Sequence, residues 1–147
     1  MFDNILVPVD GSDYSNNAVK KAVAIAEKYD SNITLLHVIS HSQIANIVPP
    51  QTLPVVTEEM LEGLTQVGKE ILEEAHKIIG PKKLNVSVEL AWGSPAQVIL
   101  EKANSKPYDL IIIGSRGRGG ISGLLLGSVS DRVAHLASCP VMIVKDK

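Results

Sequence analysis

Five short apolar runs, at residues 4–9, 33–39, 85–90, 110–113 and 141–144, are separated by stretches whose apolar residues recur at helical spacing. A strand wetted on one face would alternate apolar with polar residues. Most of these runs are continuous instead, as strands covered on both faces must be. Parallel neighbours are joined by right-handed helical crossovers, so strands alternating with helices imply a parallel sheet with helices on both sides. The expected class is α/β, a three-layer, doubly wound sheet of five parallel strands.

Four helical patterns fill the gaps. The first, at residues 13–29, sets Ala18, Ala22, Ala26 and Tyr29 on one stripe with Val19 and Val23 beside them. The second, at 57–79, turns Leu61, Leu64, Ile71, Ala75 and Ile78 inward. Thr57 can cap it, Glu58 and Glu59 suit its positive end, and Gly80-Pro81 stops it. The third opens at Ser94-Pro95-Ala96-Gln97, a capping box with Pro at the first helical position, whose cap is worth about 1 kcal/mol. The fourth, at 128–137, has Val129, Val133 and Leu136 facing inward and Asp131 three residues after Ser128. The connection at residues 40–56 carries Pro49, Pro50 and Pro54 without a period and exceeds the usual loop length. It reads either as a lid over a ligand or as a mobile solvent loop.

A chain of 147 residues suits one domain, here taken as residues 1–147, that buries roughly 70% of its unfolded surface. With 3% aromatic residues the core must be built from Val, Ile, Leu and Ala. A net charge of −2 with scattered Lys and Arg argues against nucleic acid as a partner. No apolar run approaches the roughly 18 residues of a membrane span, and Met1-Phe2-Asp3-Asn4 lacks the pattern of a signal peptide. The lone Cys139, set before Pro140 at an apolar strand, reads as a packing thiol. The chain is expected to be cytoplasmic, without membrane or nucleic-acid partners.

The chemistry concentrates between Gly114 and Ser128, where a glycine-rich loop follows the fourth apolar run and leads into a helix. Gly114, Gly117 and Gly127 let backbone N–H groups approach an anion, and Ser128 offers a hydroxyl where the helix begins. Open parallel sheets bind ligands beyond the carboxyl ends of their strands, where the winding reverses. Asp10 closes the first strand in Val7-Pro8-Val9-Asp10-Gly11-Ser12. Its carboxylate either accepts hydrogen bonds from a ribose or an adenine amino group, or organises the turn into the first helix.

The loop is no Walker A sequence, because Gly-x4-Gly-Lys-Ser/Thr is absent and no Lys lies between Gly114 and Ser128. Nor is it the dinucleotide fingerprint. Gly117-Arg118-Gly119 begins one, but Ser122 stands where the third glycine belongs.

What remains is Gly-x2-Gly-x9-Gly-Ser at Gly114, Gly117, Gly127 and Ser128, which resembles the nucleotide-binding loop of the universal stress protein family. The resemblance covers essentially the whole chain. It includes Ile5-Leu6-Val7-Pro8-Val9-Asp10-Gly11-Ser12, Leu36-His37-Val38, Gly93-Ser94-Pro95 with Ile99, and the close through Pro140-Val141-Met142-Ile143-Val144. It implies a Rossmann-like fold with sheet order 3-2-1-4-5, and membership of the family's ATP-binding branch. Asp10 would then contact the ribose side, and the backbone near Pro8, Val9 and Val38 would meet adenine. Gly114, Arg116, Gly117, Gly127, Ser128, Val129 and Ser130 would surround ribose and phosphates. Mg2+ or Mn2+ would accompany the ATP, with unknown protein ligands. The outer strand, Val141–Val144, would pair with its copy in a two-fold homodimer; otherwise Lys145 and Lys147 protect a monomer's edge.

The site has donors for binding and little for turnover. It lacks a Walker Lys, a water-positioning Gln or Glu and a dedicated metal carboxylate pair. His37, His41, His76 and His135 show no metal-ligand spacing, Trp92 reads as a packing residue, and no G-x-S-x-G is present. The sequence therefore reads as an ATP-binding stress-response switch with slow hydrolysis. Its alternatives are a slow ATPase and a dimeric scaffold for another ligand such as a cyclic nucleotide.

Overall fold

The computed structural model describes residues 1–40, 42–43, 56–117 and 126–145. The readings of His41, the three prolines of the 40–56 connection, Arg118, Gly119, Ser122 and Lys147 lie outside the described residues.

Along the chain run β1 (Asn4–Pro8), α1 (Asp13–Tyr29), β2 (Asn32–Ile39), α2 (Glu58–Ile79), β3 (Asn85–Trp92), α3 (Pro95–Ser105), β4 (Leu110–Gly114), α4 (Ser128–Leu136) and β5 (Val141–Val144). The five strands form one sheet in the order β3-β2-β1-β4-β5, and each neighbouring pair is parallel. The winding reverses between β1 and β4, so the strands of Asp10 and of the glycine loop are neighbours.

Side chains alternate across the sheet and sort the core into two layers. Ile5, Val7, Ile33, Leu35 and Ile112 pack with Ala18, Ala22 and Ala26 of α1 and with Ile71, Leu72 and Ala75 of α2. On the other face Leu6, Leu36, Ile111 and Ile113 meet Ala96, Ile99 and Ala103 of α3 and Val133 of α4. The alanine stripe of α1 is fully buried, which lets that helix lie close to the sheet.

At the opposite end of the strands from the glycine loop, three register partners, Asn4, Asn32 and Asn85, form a row of amides. Asn85 Nδ2 donates to Asn32 Oδ1 at 2.7 Å, and Asn32 Nδ2 donates to Asn4 Oδ1 at 3.1 Å.

Three local expectations change. Ser94 stands before α3, but its hydroxyl makes no capping bond, and Gln97 donates to Glu101 Oε1 instead of reaching back. The i,i+4 partner on the helix surface outcompetes the box. The cap of α4 is Gly127 and not Ser128, which is already the first helical residue. Leu136, in the last turn of α4, is 60% exposed and does not face inward. Thr57 does cap α2, accepting from the Met60 N–H at 3.2 Å.

Candidate functional site

A cavity of about 540 Å3 opens at the carboxyl ends of the strands, where the winding reverses. Its floor is apolar, from Leu36, Ile71, Ile99 and Ile113. Pro8, Val9 and Asp10 enter from the end of β1, Val38 from β2, Gly114, Arg116 and Gly117 from the end of β4, and Gly127, Ser128, Val129 and Ser130 from the start of α4. The structure thus brings every site residue inferred from the sequence around one cavity.

Asp10 fills one of the two roles the sequence left open to it, organising the turn into α1. Its Oδ1 accepts from the Ser12 N–H at 3.0 Å and from the Ser12 hydroxyl at 2.5 Å. Ser12 caps α1, accepting from the Ser15 N–H at 3.2 Å, and Gly11 makes the turn at φ +83°. Oδ2 faces the other wall. A Cβ on Gly117 would stand far inside contact distance of it, so the glycine lets the β4 loop close on the carboxylate. Gly114 does the same against α1, where a Cβ would meet the Tyr14 backbone at 2.8 Å.

The start of α4 is tied to this wall through one carbonyl. Ser115 C=O accepts from the Gly127 N–H and from the Ser130 hydroxyl, both at 2.8 Å. Ser130 is buried, and its hydroxyl serves this anchor. The Asp131 N–H closes the first helical bond onto Gly127 C=O at 2.9 Å. The N–H groups of Ser128, Val129 and Ser130 therefore precede the ladder and carry the helix's partial positive charge into the cavity.

Sequence reasoning missed Ser15, Ser40, Ser42, Gln43 and Pro95 on the rim, and His37, which lines the cavity while only 4% exposed. His37 Nδ1 lies 2.7 Å from Val9 C=O, a contact between β2 and the residue after β1 that only strand register reveals. His76 and His135 are exposed on separate helices, and among the described residues no three His, Cys, Asp or Glu could hold a metal ion. No described helix is long and apolar enough to cross a membrane. Trp92, at the end of outer strand β3, is 40% exposed and not the packing residue expected, since the sheet ends beside it.

Residues 1–145 match the universal stress protein family. Over 152 residues the chain is 36% identical to universal stress protein YxiE of Bacillus subtilis, covering 99% of this chain and 100% of that protein. The structure of hypothetical protein MJ0577 superposes with a TM-score of 0.84 at 29% identity, over 100% of this chain and 98% of that one. A universal stress protein in complex with cAMP gives 0.71 at 26% identity, over 97% of this chain and 96% of that one.

Proposed function

We propose that this chain, which belongs to the universal stress protein family, binds ATP in the cavity between β1 and β4 and acts in the cytoplasm as a nucleotide-dependent switch of the stress response. One observation carries the reading: the leading N–H groups of α4, the Asp10 carboxylate and the main chain of Val38 open onto one cavity of about 540 Å3. Those are donors for phosphates, an acceptor for ribose hydroxyls and a polar edge for a base, over an apolar floor.

Turnover is slow in this reading. No Lys stands between Gly114 and Ser128 to neutralise charge on a transferring phosphoryl group. Without a carboxylate cluster among the described residues, Mg2+ or Mn2+ would arrive on the phosphates. Outer strand β5, with Met142 37% exposed, supports a two-fold homodimer through Val141–Val144. Because a relative at 26% identity is solved in complex with cAMP, a cyclic nucleotide is the second reading for the same cavity.

Calorimetric titration tests the proposal. MgATP should bind, cAMP should compete less well, and Gly127→Glu should abolish binding by filling the gap between Arg116 and α4. No heat at millimolar ATP would refute it, and tighter binding of cAMP would favour the second reading.

A further inference from the structure

Main-chain hydrogen bonding in β2 alternates between its two neighbours. The Asn32 N–H donates to Asp3 C=O and Leu36 C=O accepts from the Val9 N–H, so residues 32, 34, 36 and 38 turn toward β1. Ile39 turns the other way, accepting from the Gly93 N–H beside β3. The next rung of the β1–β2 ladder would run from the Val38 N–H to Val9 C=O. Among the described residues Val9 C=O takes no backbone N–H. The His37 imidazole is there, with Nδ1 at 2.7 Å.

A carbonyl only accepts, so Nδ1 carries the proton and, in the neutral ring, Nε2 is a bare lone pair. Nε2 is buried and has no hydrogen-bond partner, an arrangement a fold rarely keeps without a return. Gly68 of α2 leaves room for the ring, since a Cβ there would stand 3.2 Å from His37 Cδ2.

We infer that His37 is the positioning residue for base recognition. By taking Val9 C=O with its side chain, it ends the β1–β2 ladder one rung early and leaves the Val38 N–H and C=O as a donor–acceptor pair facing the cavity. That pair matches adenine, whose N1 accepts and whose 6-amino group donates. It opposes hypoxanthine, whose N1–H donates and whose O6 accepts. The inference rests on the nucleotide reading above, and ITP, which differs from ATP only at this edge, separates the two.

Wild-type protein should bind ATP about tenfold or more above ITP, the size of a hydrogen-bond pair matched against one opposed. In His37→Leu the Val38 N–H can close onto Val9 C=O, and the ATP:ITP ratio should fall to near one. His37→Asn sets an amide N–H where Nδ1–H was and should restore the ratio. His37→Gln, with its amide at the Nε2 position, should not. Long-range 1H–15N spectra should show the Nδ1–H tautomer with and without ATP. Absence of ATP binding by the wild type would overturn both the nucleotide reading and this one. ATP binding with a wild-type ratio near one, a ratio unchanged in His37→Leu, or an Nε2–H tautomer would overturn this one alone. Should His37→Leu fail to fold, the Asn and Gln pair and the tautomer spectrum decide.

Discussion

Gly117→Ala isolates the closest approach in the site. Among the described residues the positive-φ glycines are Gly11, Gly80 and Gly93, and Gly117 is not one of them, so alanine there meets no backbone penalty. The added methyl group meets Asp10 Oδ2 instead. That carboxylate cannot turn away freely, because Oδ1 holds the Ser12 N–H at 3.0 Å and its hydroxyl at 2.5 Å, and Ser12 caps α1. Releasing one charge-assisted bond costs about 2 kcal/mol, which for a domain of this size lowers Tm by roughly 4–8 °C. The alternative, a shift of the β4 loop, widens the crevice and should weaken the MgATP binding proposed above. Thermal and urea unfolding of Gly117→Ala, Asp10→Ala and the double variant form a cycle that reads the contact itself. Gly117→Ala should cost about 2 kcal/mol in the wild-type background and close to nothing once Asp10 is alanine. An equal cost in both backgrounds would show that Asp10 is not what the methyl group strikes.

Three other residues give independent tests. Ser130→Ala removes a buried hydroxyl from Ser115 C=O but leaves that carbonyl its Gly127 N–H, so the loss should be about 1 kcal/mol by urea unfolding, while Ser128→Ala, with no cap bond to lose, stays within about 0.5 kcal/mol. Burial holds the Cys139 thiol above its ordinary range, with the Asp109 charge adding to it against an opposing backbone hydrogen bond. The unfolded chain therefore ionises this thiol first, and its contribution to stability is lost as pH rises through the unfolded value toward the folded one. Alkylation by iodoacetamide should show a midpoint above the usual thiol value of about 8.5, and a midpoint at or below that value would contradict the burial.

The alternation of strands and helices was legible because a sheet covered on both faces must write continuous apolar runs, and Leu110 to Ile113 is buried along its whole length. The cavity's residues were legible where backbone chemistry demands a residue type, as at Gly117 and Asp10. Caps were less so. Ser128 and Ser94 carry capping composition, yet α4 is capped by Gly127, because the hydroxyl two residues after Ser128 is drawn to Ser115 C=O across the loop. That choice depends on where β4 ends relative to α4, a distance that no local window contains. His37 likewise reads as an ordinary strand histidine until the register of β1 on β2 sets Val9 C=O beside it.

The amide row of Asn4, Asn32 and Asn85 stands five residues from His37 along β2, about 17 Å at the rise of a strand. A strand does not slip at one end alone, and a slip of one residue would turn all its side chains to the opposite face. The three asparagines therefore work as an index mark, fixing at the far edge which atoms of two neighbouring strands meet at the crevice. A change at the end of the sheet that lines no part of the cavity would reach the crevice between β1 and β4 undiminished, as an error of alignment and not of chemistry.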